Sequence, residues 1–400
     1  RMPPRRSDGG NTPLLHALER RREVVAGSGG GLGLVPALRD ELLVFRSDGR
    51  RVERQLDRAI PQRRHEHGVA ELDAAEEAIS RHVFSGNLSS AHIRSDKIGK
   101  AYRLDDARGR YIEFAKGTAR NCGLQNLKVV LDCANGAAYS IAPLIFKELG
   151  ASVIKAFVEP DGYNINNGCG ALHPETISGL VREHQADVGV ALDGDADRVI
   201  FCDADGRTVD GDRILAMCAT DFQRRGILAR NTLVVTTMSN FGLHEAMRSR
   251  GIQVETTDVG DRFVIEHMRR TSANLGGEKS GHVIFMDYAT TGDGIITALQ
   301  VLRLMKEQGA TLAELAACMR EYPQKLVSLP VRERRPLTSL PRLQDAMARC
   351  QQALGGTGRV VVRYSGTENK LRILVEAETE DLVSRWTQEL LEAARTELTP

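Results

Sequence analysis

The segment Val188-Gly189-Val190-Ala191-Leu192 is a continuous apolar run that stops at three carboxylates, Asp193, Asp195 and Asp197. A second apolar run, Val199 to Cys202, follows at once. Short apolar runs broken by a tight polar loop read as two buried strands joined at their ends. Gly194 and Ala196 keep that loop compact. Carboxylates at i, i+2 and i+4 are therefore held close together, and they repel one another without a cation. Hard oxygen donors of this kind suit Mg²⁺ or Ca²⁺. A divalent ion at strand ends in an α/β protein ordinarily serves phosphate chemistry. Arg198, next along the chain, is placed to contact a phosphoryl oxygen. The alternative is an acidic surface turn, but turns rarely sit between two buried strands. An EF-hand is excluded, since its glycine, its spacing and its distal glutamate are not matched.

Around this loop the chain falls into units. Its 400 residues exceed one core, so about two to four domains are expected. The net charge of +1 gives no reason to expect nucleic acid or an anionic membrane as partner. No apolar run approaches the roughly 18 residues of a membrane span, and no signal peptide is visible. The seven cysteines are scattered, without a C-x-x-C pair, and read as buried thiols of a reducing cytoplasm.

Residues 1 to 66 are rich in arginine and contain no lysine; the first is Lys97. Val24 to Gly31 reads as a strand entering a glycine loop, or as a flexible linker. Helix-like sequence begins at Ala70 to His82 and resumes at Tyr111 to Lys116. A regular α/β rhythm then sets in, with strands at Lys128–Asp132, Ser152–Phe157 and Val188–Leu192, and helices at Ser140–Leu149 and from His173. The rhythm restarts near residue 212. It runs through strands at Thr232–Thr236, Val254–Thr256 and Val283–Met286 to a long amphipathic helix at Ile295–Glu307. Two units of one rhythm point to a duplicated α/β domain. Pro330 to Pro341 reads as a linker. After it come a helix, two strands and a final helix, Leu382 to Leu398, as a small α+β domain.

Two further loops complement the acidic one. Gly277 to His282 offers Glu278, Ser280 and His282, groups suited to vicinal sugar hydroxyls; an ordinary β-turn is the alternative. Arg363 to Thr367 offers a cation, the Ser365 and Thr367 hydroxyls and the Gly366 N–H, a set that cradles a phosphate; a capped hairpin is the alternative. Arg262, in a fourth polar loop, either reads substrate or pairs with Asp261.

Taken jointly, these loops resemble those of the α-D-phosphohexomutases, and within them the bacterial phosphoglucosamine mutase family. The segments Asp193 to Arg198, Gly277 to His282 and Arg363 to Glu368 match its metal, sugar and phosphate loops. Asp132 to Gly136, Val259 to Arg262 and Thr290 to Gly294 follow the same family's pattern, the last arguing against phosphomannomutase relatives. The resemblance runs from about Gly99 to the C-terminus. It implies tandem related α/β domains around a cleft plus a small C-terminal α+β domain. We divide the chain as 1–98, a divergent or incomplete first domain; 99–211, with the metal loop; 212–329, with the sugar loop; and 330–400, with the phosphate loop.

The resemblance also implies an activity, the Mg²⁺-dependent interconversion of glucosamine 6-phosphate and glucosamine 1-phosphate. A phosphoserine and a bisphosphate intermediate carry it, with a hexose 1,6-bisphosphate as activator. Asp193, Asp195 and Asp197 would hold the metal. Arg198 would act at the reacting end. Arg262, Glu278, Ser280, His282, Arg363, Ser365, Gly366 and Thr367 would hold substrate. Lys116 lies near a family lysine suited to proton transfer, or is a solvated helix lysine. A small phosphosugar is the implied partner, and a homo-oligomer is left open. The family's serine loop, Thr/Ser-Ala-Ser-His-Asn-Pro, has no counterpart, since Ser-His-Asn-Pro occurs nowhere in the chain. By order along the chain Ser28 is the candidate phosphoryl acceptor. The alternatives are a non-catalytic phosphosugar- and metal-binding remnant, or a related phosphomannomutase or phosphoglucomutase.

Overall fold

A computed structural model describes residues 106–120, 122–365 and 368–398, with short pieces at 33–34, 44–45 and between 75 and 85. Backbone contacts divide the chain into two units, Arg1–Leu104 and Asp105–Pro400. In the first, β1 (Gly33–Leu34) and β2 (Val44–Phe45) pair antiparallel. Ser28 and the Val24 to Gly31 segment lie outside the described residues.

Among the described residues the second unit holds three sheets. The first is ordered β4-β3-β5-β6-β7. It comprises β3 (Lys128–Asp132), β4 (Ser152–Ala156), β5 (Val188–Leu192), β6 (Val199–Asp203) and β7 (Thr208–Val209). β3 runs parallel to β4 and to β5, whereas β6 turns back antiparallel to β5. Every residue of β5 and β6 is buried, as continuous apolar strands of a covered sheet should be.

The second sheet is ordered β11-β10-β8-β9, from β8 (Thr232–Thr236), β9 (Gln253–Thr257), β10 (Leu275–Gly277) and β11 (Val283–Phe285). β8 is parallel to β9 and to β10, and β11 is antiparallel to β10. The second sheet thus repeats the topology of β4-β3-β5-β6 in the first. The acidic loop is the β5–β6 turn, and the Gly277 to His282 loop is the equivalent β10–β11 turn. Both emerge at the carboxyl ends of parallel strands, where open α/β sheets bind ligands.

The helix Gly294–Gln308 joins these two sheets. The sequence predicts an amphipathic helix here, but Gly294 to Met305 are all buried. The polar positions that give the amphipathic pattern are satisfied inside. Gln300 Nε2 donates to the Thr118 carbonyl at 3.1 Å. Arg303, 2% exposed, pairs with Glu307 at 3.1 Å and with buried Asp221 at 3.6 Å. A buried charge is tolerable only when paired in this way. Leu299, Val301 and Leu302 join one continuous core with Leu192 and Phe201 of the first sheet and Leu233 and Phe285 of the second.

The third sheet, β12-β14-β13, is antiparallel: β12 (Gln324–Pro330), β13 (Arg359–Tyr364) and β14 (Lys370–Glu376). The helices Pro341–Leu354 and Glu380–Leu398 close a separate core around Trp386, Ile373 and Leu343. β12 lies before the segment read as a linker and was not expected. Its residues are mostly exposed, so it carries no apolar run, and Pro330 ends it on the sheet edge.

Candidate phosphosugar and metal site

The acidic loop begins where β5 leaves the core. Asp193 is 7% exposed, and Ala196 adopts the left-handed region at φ 63. Strain of this kind persists only where surrounding contacts over-determine it. One oxygen from each of Asp193, Asp195 and Asp197 lies within 4.8 Å of the others. Arg198 folds over them, its backbone N–H donating to Asp193 Oδ1 at 3.1 Å. Its Nε stands 3.8 Å from Asp193 and 3.7 Å from Asp197, with no hydrogen-bond partner among the described residues. Burial, and after it the charges of Asp197 and Asp195, push the Asp193 carboxyl up to about 6. A hydrogen bond from His282 instead holds Asp197 low. Crowded oxygen donors with excess negative charge fit a hard divalent cation.

The loop is braced from three sides. Ala137 N–H donates to the Gly194 carbonyl at 2.8 Å, and a Cβ on Gly136 would collide with that same oxygen. Asp132 shapes this turn by accepting from Ala134 and Gly170 N–H groups, each at 2.8 Å. From the second α/β unit, Gly294 N–H donates to the Ala196 carbonyl at 2.8 Å. Asp293 caps the helix behind it, accepting from Ile296 N–H, and is gripped by Tyr111 Oη at 2.8 Å. Val199 N–H donates to the Gly281 carbonyl at 3.1 Å, which ties the acidic loop to its counterpart.

In that counterpart, Glu278 Oε1 accepts from Gly260 N–H at 2.9 Å, and Ser280 Oγ lies 3.4 Å from Oε2. Glu278 is thus oriented, with Ser280 exposed beside it. His282 lies at the end of the same loop. It is 2% exposed, and its ring nitrogens meet Asp197 at 3.2 Å and the Gly292 N–H at 3.1 Å. Lys279 is ion-paired, lying 3.1 Å from Glu321 and 3.3 Å from Asp210.

The third loop follows β13, where Arg363 is half-buried and Ser365 is 2% exposed. Ser365 N–H closes the hairpin on the Lys370 carbonyl at 2.8 Å. Gly366 and Thr367 lie outside the described residues. At its other end β13 is fastened to the loop after β8, where Arg359 binds the Ser239 carbonyl, and to β14 of its own sheet through Glu376. Six residues of strand place Ser365 roughly 20 Å from that junction.

Arg262 pairs with Glu266 at 2.9 Å, one turn along its helix. Lys116 is held at 2.7 Å by Glu113 and at 2.7 Å by Glu148. These bonds, Glu113 first, raise its pKa, so the structure gives no support to a role as proton acceptor. A cavity of about 440 Å³, lined by Leu127, Asp187, Asp203, Lys306 and Thr311 among others, opens at the opposite end of the first sheet.

Beneath the Lys279 cluster Asp212 is wholly buried, one oxygen accepting from Asn240 N–H at 2.7 Å and the other without a hydrogen-bond partner among the described residues. Burial, then the Asp210 charge, push it up to about 7. A folded pKa above the unfolded value gives stability that is full below about pH 4 and lost as pH rises through about 7. Urea denaturation at about pH 5 and about pH 8 should show a larger loss in wild type than in Asp212→Asn. Equal losses would show that Asp212 does not titrate in this window.

Fold and loops together define the α-D-phosphohexomutase class. Three families match in tandem. Residues 110–206 match phosphoglucomutase/phosphomannomutase alpha/beta/alpha domain II, 210–322 match domain III, and 326–393 match the C-terminal domain. The phosphoglucosamine mutase of Geotalea daltonii is 50% identical over 319 residues, 80% of this chain and 70% of that protein. Among solved structures, a phosphoglucomutase/phosphomannomutase family protein from Burkholderia thailandensis shares the fold. It aligns with TM-score 0.64 and 23% identity over 81% of this chain and 70% of that one. The Aspergillus fumigatus N-acetylphosphoglucosamine mutase, solved with GlcNAc-6P and magnesium, aligns with TM-score 0.60 and 22% identity over 76% of this chain and 68% of that one. The chain belongs to the phosphoglucosamine mutase family.

Proposed function

We propose that the chain interconverts glucosamine 6-phosphate and glucosamine 1-phosphate, with Mg²⁺ held by Asp193, Asp195 and Asp197. The convergence of these carboxylates on one point carries the reading. Bound there, the ion supplies charge neutralisation for a phosphoryl group in transfer. Arg198, its Nε 3.8 Å from Asp193 and 3.7 Å from Asp197, adds a cation beside the same point. Glu278 and Ser280 bond sugar hydroxyls, and Arg262 flanks them. Arg363, Ser365, Gly366 and Thr367 hold the phosphate that is not reacting. Ser28 is the proposed phosphoryl acceptor, and a hexose 1,6-bisphosphate the activator that charges it. The seven unpaired thiols support a reducing compartment, the cytoplasm. Among the described residues no helix is long and apolar enough to cross a membrane.

One observation favours a second reading, a phosphosugar- and metal-binding protein without turnover: no Ser-His-Asn-Pro occurs in the sequence. Phosphosugar binding is common to both readings and has its own test. Arg363→Ala and Ser365→Ala should weaken binding of glucosamine 6-phosphate far more than binding of glucosamine, by calorimetry. Charge-assisted bonds of about 1.5–3 kcal/mol each are lost only with the phosphorylated ligand. Equal loss for both ligands would show that this loop does not read phosphate.

A further inference from the structure

Lys279 sits inside the sugar loop, between Glu278 and Ser280, yet its ammonium meets the scaffold on which that loop rests. Nζ lies 3.1 Å from Glu321, 3.3 Å from Asp210 and 4.0 Å from Asp212. Asp210 caps the helix Gly211–Arg224, accepting from Arg213 N–H at 3.2 Å. The loop backbone lies on the same helix start. Gly211 N–H donates to the Lys279 carbonyl at 3.0 Å, and a Cβ on Gly211 would lie 2.1 Å from the Glu278 carbonyl oxygen. Glu321 belongs to the connection that leads into β12, and Gln324, the first residue of β12, stands between Lys279 and Glu376. An ammonium only donates and a carboxylate only accepts. The amide therefore turns its oxygen to Lys279 Nζ at 3.2 Å and its nitrogen to Glu376 Oε1 at 3.0 Å. Glu376 is wholly buried; it accepts from Phe241 N–H at 3.2 Å and binds Arg359, the first residue of β13. β13 ends at Tyr364, next to Ser365.

We propose that Lys279 is a positioning residue that couples the sugar loop to the phosphate loop: its ammonium joins the helix start under the first to the Gln324–Glu376–Arg359 chain at the root of the second. The inference rests on reading these loops as holding two ends of one phosphosugar. Three carboxylates crowd one ammonium here. An apolar side chain in its place would leave buried Asp212 and its neighbours to repel one another. With the cation present, the separation of the two loops is set before a ligand arrives. A ligand that spans both then avoids the cost of ordering them, whereas one that meets a single loop gains nothing.

Lys279→Met removes the charge but little of the side chain's length, and is tested in the full chain by amide hydrogen exchange and by calorimetry. The Phe241 and Gly211 amides should exchange about tenfold faster, since charge-assisted bonds hold their acceptors in place. Val331 N–H, bonded to the Asn369 carbonyl inside the C-terminal domain, should keep its protection. Unchanged exchange at Phe241, or equal acceleration at Val331, would overturn the proposal. Glucosamine 6-phosphate should bind about 5–150-fold more weakly, the usual span of coupling between two sites. Glucosamine and inorganic phosphate, which each meet one loop, should keep wild-type affinity. Loss for all three ligands alike, or for none, counts against coupling. Lys279→Arg keeps the cation and should restore both readouts. Gln324→Leu leaves every charge in place and should reproduce the faster exchange at Phe241 but spare Gly211; wild-type exchange at Phe241 would overturn the route and the proposal with it. If Glu278→Ala and Ser365→Ala each bind glucosamine 6-phosphate as wild type does, the phosphosugar reading fails instead, and the exchange measurement, which needs no ligand, still decides the coupling.

Discussion

Gly281→Ala is expected to destabilise the protein by about 2–5 kcal/mol and to detach the sugar loop from the acidic loop. Two costs add. Gly281 sits at φ +91, a conformation costing an L-residue about 1–2 kcal/mol. A Cβ there would also overlap the Val199 carbonyl, a backbone atom that cannot swing aside, and overpacking of this kind costs about 1–3 kcal/mol. Gly162→Ala is the matched control, with φ +92 but open space around the position. It should show the conformational cost alone. Denaturant unfolding separates the two, and equal losses would mean that the two loops are not clamped at Gly281.

Asp195→Asn is expected to lower Mg²⁺ affinity by at least about tenfold, since losing a ligand should cost no less than losing an outer partner. In metal-free buffer the same change should leave stability unchanged or raised, because one of three crowded charges is gone. The opposite signs distinguish a ligand from a structural residue. The raised pKa of Asp193 adds a pH signature. Metal-free protein keeps the benefit of the protonated form below about pH 4 and loses it as pH rises through about 6. Mg²⁺ affinity should accordingly weaken as pH falls below about 6. Calorimetric titration of wild type and variant checks both; Mg²⁺ affinity unaltered by Asp195→Asn would remove this carboxylate from the cation site.

The β5–loop–β6 hairpin is legible in the sequence because two apolar runs bracket three carboxylates, and burial of both strands leaves the loop few places to go. The matching role of the β10–β11 turn is not legible at residue level. Only strand order and direction reveal that the two turns are topological equivalents. The helix Gly294–Gln308 is legible but its burial is not, because Gln300 and Arg303 mimic a solvent face, while their partners, Thr118 and Asp221, are distant in sequence. β12 was missed because an edge strand that is mostly exposed carries no apolar signal. A sequence cannot show that Gly292 and Asp197 converge on the His282 ring. Asp293, Gly294 and Gly136 lie in segments whose family pattern is visible, yet their bracing contacts are purely tertiary. Nothing in the sequence marks Tyr111.

The central claim is that this chain carries out the phosphosugar interconversion. It is tested most directly by ³¹P nuclear magnetic resonance of the full chain with glucosamine 6-phosphate, Mg²⁺ and glucose 1,6-bisphosphate. The account predicts a growing glucosamine 1-phosphate resonance that is lost on chelation of the metal and lost in Asp193→Asn. No conversion by a chain that still binds Mg²⁺ and glucosamine 6-phosphate would contradict it and leave a binding protein in place of a mutase.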